Sequence, residues 1–333
     1  MTPDDDEIGE RAAPQDPRAA PFPWQDALAR ALLARRASWP HATLVAGPEG
    51  IGKRVLAQFL ARTLLCEART AEGGPCGTCA GCRYEAAGQH PDLRVVEPIE
   101  IEDEEAKRVE WISVERIRAL THWAELTSHR GGAKVALIVP AERMHASAAN
   151  ALLKTLEEPP AGTYFVLVSH LPGRLPATIV SRCQRVAAPR PTAGEARAWL
   201  AAQGIDDAER ALAQAGGAPL RAQALADAAH QAERSAWISA LASPQQLSVT
   251  DLGARIDAVP RDARREQLGA VIDWLLGWCA DLARVRAGGA PGENADFAAA
   301  LRRLAGSVAG LALFRYHRSL LSQRALLAHP LQP

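Results

Sequence analysis

Aromatic residues are scarce in this chain: Phe, Trp and Tyr together make 5% of its 333 residues. Alanine and leucine dominate instead, which favours helix. Excess charge of either sign is also missing, with 38 Lys and Arg against 38 Asp and Glu. A neutral chain is poorly suited to gripping DNA by itself, since phosphate binding needs clustered positive charge, although a neutral total leaves room for a local basic patch. Long apolar runs are absent; the longest uncharged one, Leu304 to Phe314, is too short to span a bilayer. No basic-then-apolar leader opens the chain, whose first residues include Asp4, Asp5, Asp6 and Glu7, so a cytoplasmic location without membrane contact is expected. Six cysteines in that compartment point to metal binding or free thiols before disulfides. A length of 333 residues implies two or three domains.

Residues 1–21 are rich in Pro, Asp and Arg with no apolar period and read as a disordered tail. A helix is expected from Trp24 to about Arg36, with Ala27, Leu28, Ala31 and Leu32 on one face. His41 to Ala46 reads as a strand, and Gly47 to Lys53 (GPEGIGK) turns it into a helix over Arg54 to Leu65. This is a P-loop in its strand–loop–helix setting. Gly47, Gly50 and Gly52 let backbone N–H groups curl around phosphates at a helix N-terminus, where the dipole favours anions, and Lys53 would reach the outer phosphates. A working P-loop follows its lysine with Ser or Thr, whose hydroxyl binds Mg²⁺; here the position is Arg54, which offers only donors. The cradle is preserved while the metal-binding step is impaired. A glycine turn with no ligand is the plainer reading of the same residues.

Cys66, Cys76, Cys79 and Cys82 follow as C-x9-C-x2-C-x2-C. Four thiolates close a tetrahedral Zn²⁺ site and leave no open coordination position, so a structural zinc is expected and a catalytic one disfavoured. The insert is rich in Gly and polar residues and would need the metal as its staple. Reduced surface thiols are the alternative. Cys183 and Cys279 lie far away in sequence and read as buried thiols.

Pro91 to Val96 reads as a strand through Leu93, Val95 and Val96, Glu97 to Glu105 as a solvated acidic loop, and Ile112 to about Ser128 as an amphipathic helix capped by Ser113, with Ile117, Leu120 and Trp123 inward. From Lys134 to Cys183 the pattern is strand, helix, strand and an arginine-bearing turn. Lys134 to Val139 and Tyr164 to Val168 are short apolar runs suited to buried strands. Between them, Ala149, Leu152, Leu153 and Leu156 give a helix one apolar stripe, and Pro159-Pro160 stop it. Two strands flanking one helix imply a parallel sheet.

Ala149 to Pro160 (ANALLKTLEEPP), followed by Ser181-Arg182-Cys183, resembles the clamp-loader branch of the AAA+ ATPases. In that register the carboxylate pair that holds Mg²⁺ and orients the attacking water falls on Pro140 and Ala141, which do neither. Glu142, one residue further on, is the alternative carboxylate, although a one-residue shift in this turn changes its direction. The resemblance makes Arg182 an arginine finger, reaching in trans toward the γ-phosphate bound by a neighbouring subunit; a structural arginine paired with a carboxylate is the other reading. It also sets Ser169 and His170 at a polar sensor position, with a surface histidine the alternative for His170, and Arg221 at a phosphate-sensing arginine in the lid.

Thr192 and Glu195 form a capping box after Pro191, and short helices to about residue 230 have the size of an AAA+ lid. The remainder is helical in pattern, with no polar cluster. The resemblance therefore implies an α/β P-loop (RecA-like AAA+) domain over 22–188 with a zinc-binding insert at 66–82, an all-α lid over 189–231 and an all-α collar over 232–333. It implies a rigid, non-hydrolysing subunit of the bacterial DNA polymerase III clamp loader, its own ATPase silent. The expected partners are a motor (γ/τ) subunit and the δ subunit, with the sliding clamp and primed DNA reached through the complex. ATP or ADP would bind, if at all, without hydrolysis at Gly47, Gly50, Gly52, Lys53 and Arg221. The rivals are an autonomous AAA+ ATPase acting on DNA and a zinc-dependent nucleic-acid-binding module.

Overall fold

The computed structural model describes residues 20–35, 38–103, 106–109 and 111–327. Most of the tail expected over 1–21 lies outside them. The chain divides into two compact units, one within residues 1–99 and 109–195 and the other within 100–108 and 196–333.

The first unit is an α/β layer built on five parallel strands: β1 (Ala42–Ala46), β2 (Leu93–Val96), β5 (Lys134–Ile138), β6 (Thr163–Ser169) and β7 (Gln184–Ala187). Their order across the sheet is β2-β5-β6-β1-β7. Every residue of β1 and of β5 is buried, as a strand covered on both faces requires. Alternate residues divide the work. Leu44, Ile138 and Leu167 join one core cluster with Ile117 and Leu120 of α4 (Val114–Glu125) and Leu152 and Leu156 of α5 (Ala146–Glu157). Against the same strands β1, β5 and β6 packs α2 (Lys53–Leu65). Ser113 caps α4 by accepting the Arg116 N–H at 3.4 Å. At the other end of α4, the buried Lys134 donates to the carbonyl of Trp123 and, at 2.7 Å, to that of Leu126, meeting the last carbonyls and the negative end of the helix. Helix α5 stops at Glu157, before Pro159-Pro160, as expected.

The helix expected from Trp24 is a 3-10 turn, Pro23–Gln25, running into α1 (Asp26–Ala34). The cysteine-bearing insert ends in α3 (Ala80–Ala86), which is tied to α2 by the buried ion pair of Arg62 with Glu85. The acidic loop expected at Glu97–Glu105 is corrected: Glu100–Asp103 is β3, and it pairs with β4 (Ala106–Val109) in a two-stranded sheet. A short α6 (Ala177–Val180) precedes β7.

The second unit is helical apart from residues 100–108. Ala196 and Leu200 of α7 (Ala193–Ala202), Ala211 and Leu212 of α8 (Ala208–Gln214) and Ala222 of α9 (Pro219–Leu225) form one small core. A larger core joins α10 (Ala228–Ala242), α12 (Arg261–Arg286), α13 (Ala298–Ala305) and α14 (Gly310–Leu326) through Ile238, Trp278, Leu282, Leu301, Leu313 and Leu320. Between them in sequence, α11 (Val249–Asp257) packs on α12.

Two substitutions test the core of the first unit. Leu152→Ala, at a site with 0% exposure, should cost about 3 kcal/mol. Ser113→Ala should cost about 1 kcal/mol through the lost cap. Both are read from urea unfolding midpoints, and a Leu152→Ala midpoint equal to the native one would contradict the packing described.

Candidate functional site

The loop after β1 has the backbone of a phosphate cradle. Gly50 and Gly52 hold positive φ, 78° and 87°, and Gly52 is the N-cap of α2. The left-handed region favours glycine at both. A side chain at Gly52 would also meet the Phe22 ring at 2.2 Å. Phe22 belongs to a segment seated on the loop: the Ile51 carbonyl accepts from Trp24 Nε1 at 3.0 Å and from Gln25 Nε2 at 2.9 Å. Lys53 is buried and donates to the Pro48 carbonyl. Burial brings its pKa down to about 8 against the opposing pull of Glu142 and Glu49.

Arg54 occupies the place of a metal-binding hydroxyl, and both of its terminal nitrogens engage Glu97, Nη2 to Oε2 at 3.0 Å. The two side chains thus spend their charge on each other at the mouth of the loop. Pro140 and Ala141, at the end of β5, carry no carboxylate. Glu142 stands one residue further on: its Oε1 accepts the backbone N–H of His170 at 2.9 Å and of Leu171 at 3.2 Å, holding the segment after β6, while its buried Oε2 has no hydrogen-bond partner. Ser169 is fully buried, and burial together with the Lys53 charge lowers the pKa of His170, so His170 is not a plain surface histidine.

Arg182 follows α6. It donates to the Thr178 carbonyl at 2.9 Å and pairs with Glu157 at the end of α5. Arg182 is 31% exposed in its side chain and Glu157 49%. Arg221 is exposed on α9 in the second unit.

The four cysteines of the insert come together. The Sγ atoms of Cys66, Cys76, Cys79 and Cys82 all lie within 4.8 Å of one another, with Cys66 to Cys79 at 3.9 Å. Tetrahedral Zn–S bonds of ~2.3 Å would set the sulfurs ~3.8 Å apart, so this donor set fits zinc. Backbone N–H groups turn toward the sulfurs: Cys76 to Cys66 and Cys79 to Cys76 at 3.3 Å, and Cys82 to Cys79 at 3.4 Å. Hydrogen bonds from the backbone and hydroxyl of Thr78 bring the Cys76 thiol down to about 6, while burial pushes Cys66 and Cys82 up. A dication among them would offset the cost of ionising the two buried thiols. Cys183 and Cys279 are buried thiols outside the cluster, as expected.

Sequence reasoning reached the glycines, Lys53, Arg54, Arg182 and the cysteines. It missed Phe22, Trp24 and Gln25 as the seat of the loop, Glu97 as the partner of Arg54, and Glu157 as the partner of Arg182. Two aromatics flanking Pro23 in an aromatic-poor chain were the available signal for the first group. No local signal marks the other two.

A five-stranded parallel sheet, a glycine-bearing turn from β1 into α2 and a four-cysteine insert define an α/β protein of the P-loop type. The family described as "DNA polymerase III, delta subunit" matches residues 26–191. DNA polymerase III subunit delta' of Pseudomonas aeruginosa is 40% identical over 269 residues, 79% of this chain and 77% of that one. The same subunit of Escherichia coli K12 is 33% identical over 268 residues, 80% and 76% of the two chains. Subunit tau of Salmonella typhimurium is 41% identical over 143 residues, 43% of this chain and 21% of the longer tau. The chain belongs to the DNA polymerase III subunit delta' family.

Replacing Cys79 by Ser should release metal and loosen the insert, seen as zinc lost by elemental analysis and faster proteolysis near residues 70–82. A fully folded, zinc-free native protein would contradict the metal assignment. Glu97→Gln should leave the fold intact by circular dichroism while raising protection of the Gly52–Arg54 amides when pyrophosphate is added, because the Arg54 charge is released toward the cradle.

Proposed function

We propose that this clamp-loader subunit is a rigid, non-hydrolysing member of its assembly that supplies Arg182 to the ATP of a neighbouring motor subunit. The observation that carries the reading is the Arg54–Glu97 pair, which sets a bidentate cation where a hydrolysing P-loop needs a metal-binding hydroxyl. The loss at Pro140 and Ala141 supports it independently, since neither side chain binds a metal or accepts a proton.

Arg182 suits a finger because its tie to Glu157 is at the surface. An exposed ion pair of this kind is worth about 0–1 kcal/mol. A neighbour's triphosphate, carrying more charge and more acceptor oxygens, would take the guanidinium from Glu157 at little cost. The planar fork then neutralises charge that builds up on the transferred phosphoryl group.

The tau match over 143 residues supports a neighbour built on the same plan. The γ/τ motor subunit and the δ subunit are the proposed contacts, and the sliding clamp and primed DNA are reached through the whole complex. Within the helical unit, α7–α9 would serve as lid, with Arg221 on it, and α10–α14 as collar. Zinc at Cys66, Cys76, Cys79 and Cys82 would be structural. Any ATP or ADP held at Gly47, Gly50, Gly52 and Lys53 would not be hydrolysed, and the protein would work in the cytoplasm.

The isolated chain is expected to show no ATP turnover above background. Arg182→Ala should leave its circular dichroism unchanged and slow DNA-stimulated ATP hydrolysis by the reconstituted assembly by about tenfold or more. Unchanged turnover in that assembly would remove the finger, and steady ATP hydrolysis by the purified chain alone would remove the whole reading.

A further inference from the structure

Arg182 is held back by its own chain. Its guanidinium lies over the helix it follows: Nη1 donates to the Thr178 carbonyl at 2.9 Å and to Ser181 Oγ at 3.5 Å. Nη2 pairs with Oε1 of Glu157. Glu157 is the last residue of α5, which packs against α6. The carboxylate therefore meets the cation at a helix C-terminus, where the dipole already favours positive charge.

The hold is incomplete in two ways. The Nε atom of Arg182 is buried and has no hydrogen-bond partner, so the folded-back guanidinium leaves one of its donors unmatched. Only one of its nitrogens meets the carboxylate. In the Arg54–Glu97 pair both terminal nitrogens do. Two parallel bonds fix a planar fork, whereas a single one leaves it free to turn. Glu157 is also 49% exposed in its side chain, so water and salt weaken its grip.

From the single-nitrogen contact, the unmatched Nε and the exposed carboxylate, we infer that Glu157 is a positioning residue that parks Arg182 until a neighbour's nucleotide displaces it. The inference rests on the finger role proposed above and adds its regulation. Before assembly the carboxylate occupies the guanidinium. In the assembly the phosphate oxygens, carrying more charge, compete for the same nitrogen, and Glu157 gives it up. Arg182 then turns outward, and its Nε gains an acceptor. Glu157 therefore sets how readily the finger is delivered and takes no part in the chemistry itself.

The first test uses the isolated full chain. Phenylglyoxal modifies guanidinium groups, and peptide mass spectrometry reads its rate at Arg182 against the exposed Arg174 of the same segment. Glu157→Gln should raise the relative rate at Arg182 about threefold, the size of a lost surface ion pair. Salt at about 1 M should remove most of that difference by screening the native pair. Both partners are at the surface, so circular dichroism should be unchanged.

The second test uses the reconstituted assembly. Glu157→Gln should lower the KM for ATP about threefold, with the change in KM rather than in kcat. Glu157→Asp, which keeps the carboxylate, should stay nearer the native KM. The inference is overturned if Arg182 reacts equally fast in Glu157→Gln, if the KM does not fall, or if kcat falls instead, as it would were Glu157 a brace for the working finger. Should Arg182→Ala leave turnover of the assembly unchanged, the finger itself is lost and the latch with it. Should Arg182→Ala slow turnover while Glu157→Gln alters neither reactivity nor KM, the latch alone is lost.

Discussion

Parallel pairing is the constraint on which the rest of the first unit depends. In an all-parallel sheet every strand ends on the same edge, so loops far apart in sequence must meet there. The P-loop follows β1, Glu97 follows β2, Pro140 to Glu142 follow β5, and His170 follows β6. Several side-chain contacts around the P-loop join two of these loops. Arg54 reaches Glu97 because β1 and β2 end on one edge, although two strands, β6 and β5, lie between them. Glu142 holds the backbone at His170 because β5 and β6 are hydrogen-bonded neighbours. The opposite edge is equally forced: the strand starts gather His90, Asp92 and Arg130 around a separate cleft.

The positive charges at the P-loop each have a partner within the protein. An unmatched arginine beside a lysine in the cradle would repel it, and Glu97 answers that charge. Lys53 is itself turned back to the Pro48 carbonyl, with Glu142 and Glu49 as its negative neighbours. The charges of the loop are thus met largely from within the protein, while Glu142 Oε2, Ser169 Oγ and His170 Nδ1 are buried without a hydrogen-bond partner. Arg182 is held in a similar way: it pairs with Glu157 near the surface, its side chain 31% exposed against 43% for Arg54 in its pair with Glu97.

The cysteine insert is attached by geometry as much as by any metal. Gly81 is needed where a side chain would come within 2.7 Å of the Leu65 carbonyl. The buried Arg62–Glu85 pair fixes α3 to α2. Since α2 also carries Lys53 at its first residue and leads into Cys66 after its last, the P-loop and the insert are the two ends of one helix. An insert with few apolar residues borrows order from that helix and from the sulfur cluster.

What the sequence determined was local. Glycines at 50 and 52, a lysine at 53, paired prolines after a striped helix and closely spaced cysteines each act through backbone dihedrals, helical period or short loop closure, which neighbouring residues set by themselves. The two apolar strands and their helix were legible for the same reason, and so was the absence of carboxylates at 140 and 141. The acidic stretch 97–105 was misread because its strand character needs a partner strand, a pairing no single segment states. What only the tertiary structure decided was which groups meet: Glu97 with Arg54 across 43 residues, Glu142 with the backbone after β6, and Phe22 on Gly52. Those choices follow from the order in which parallel strands lie side by side, and strand order is a property of the packed whole rather than of any stretch within it.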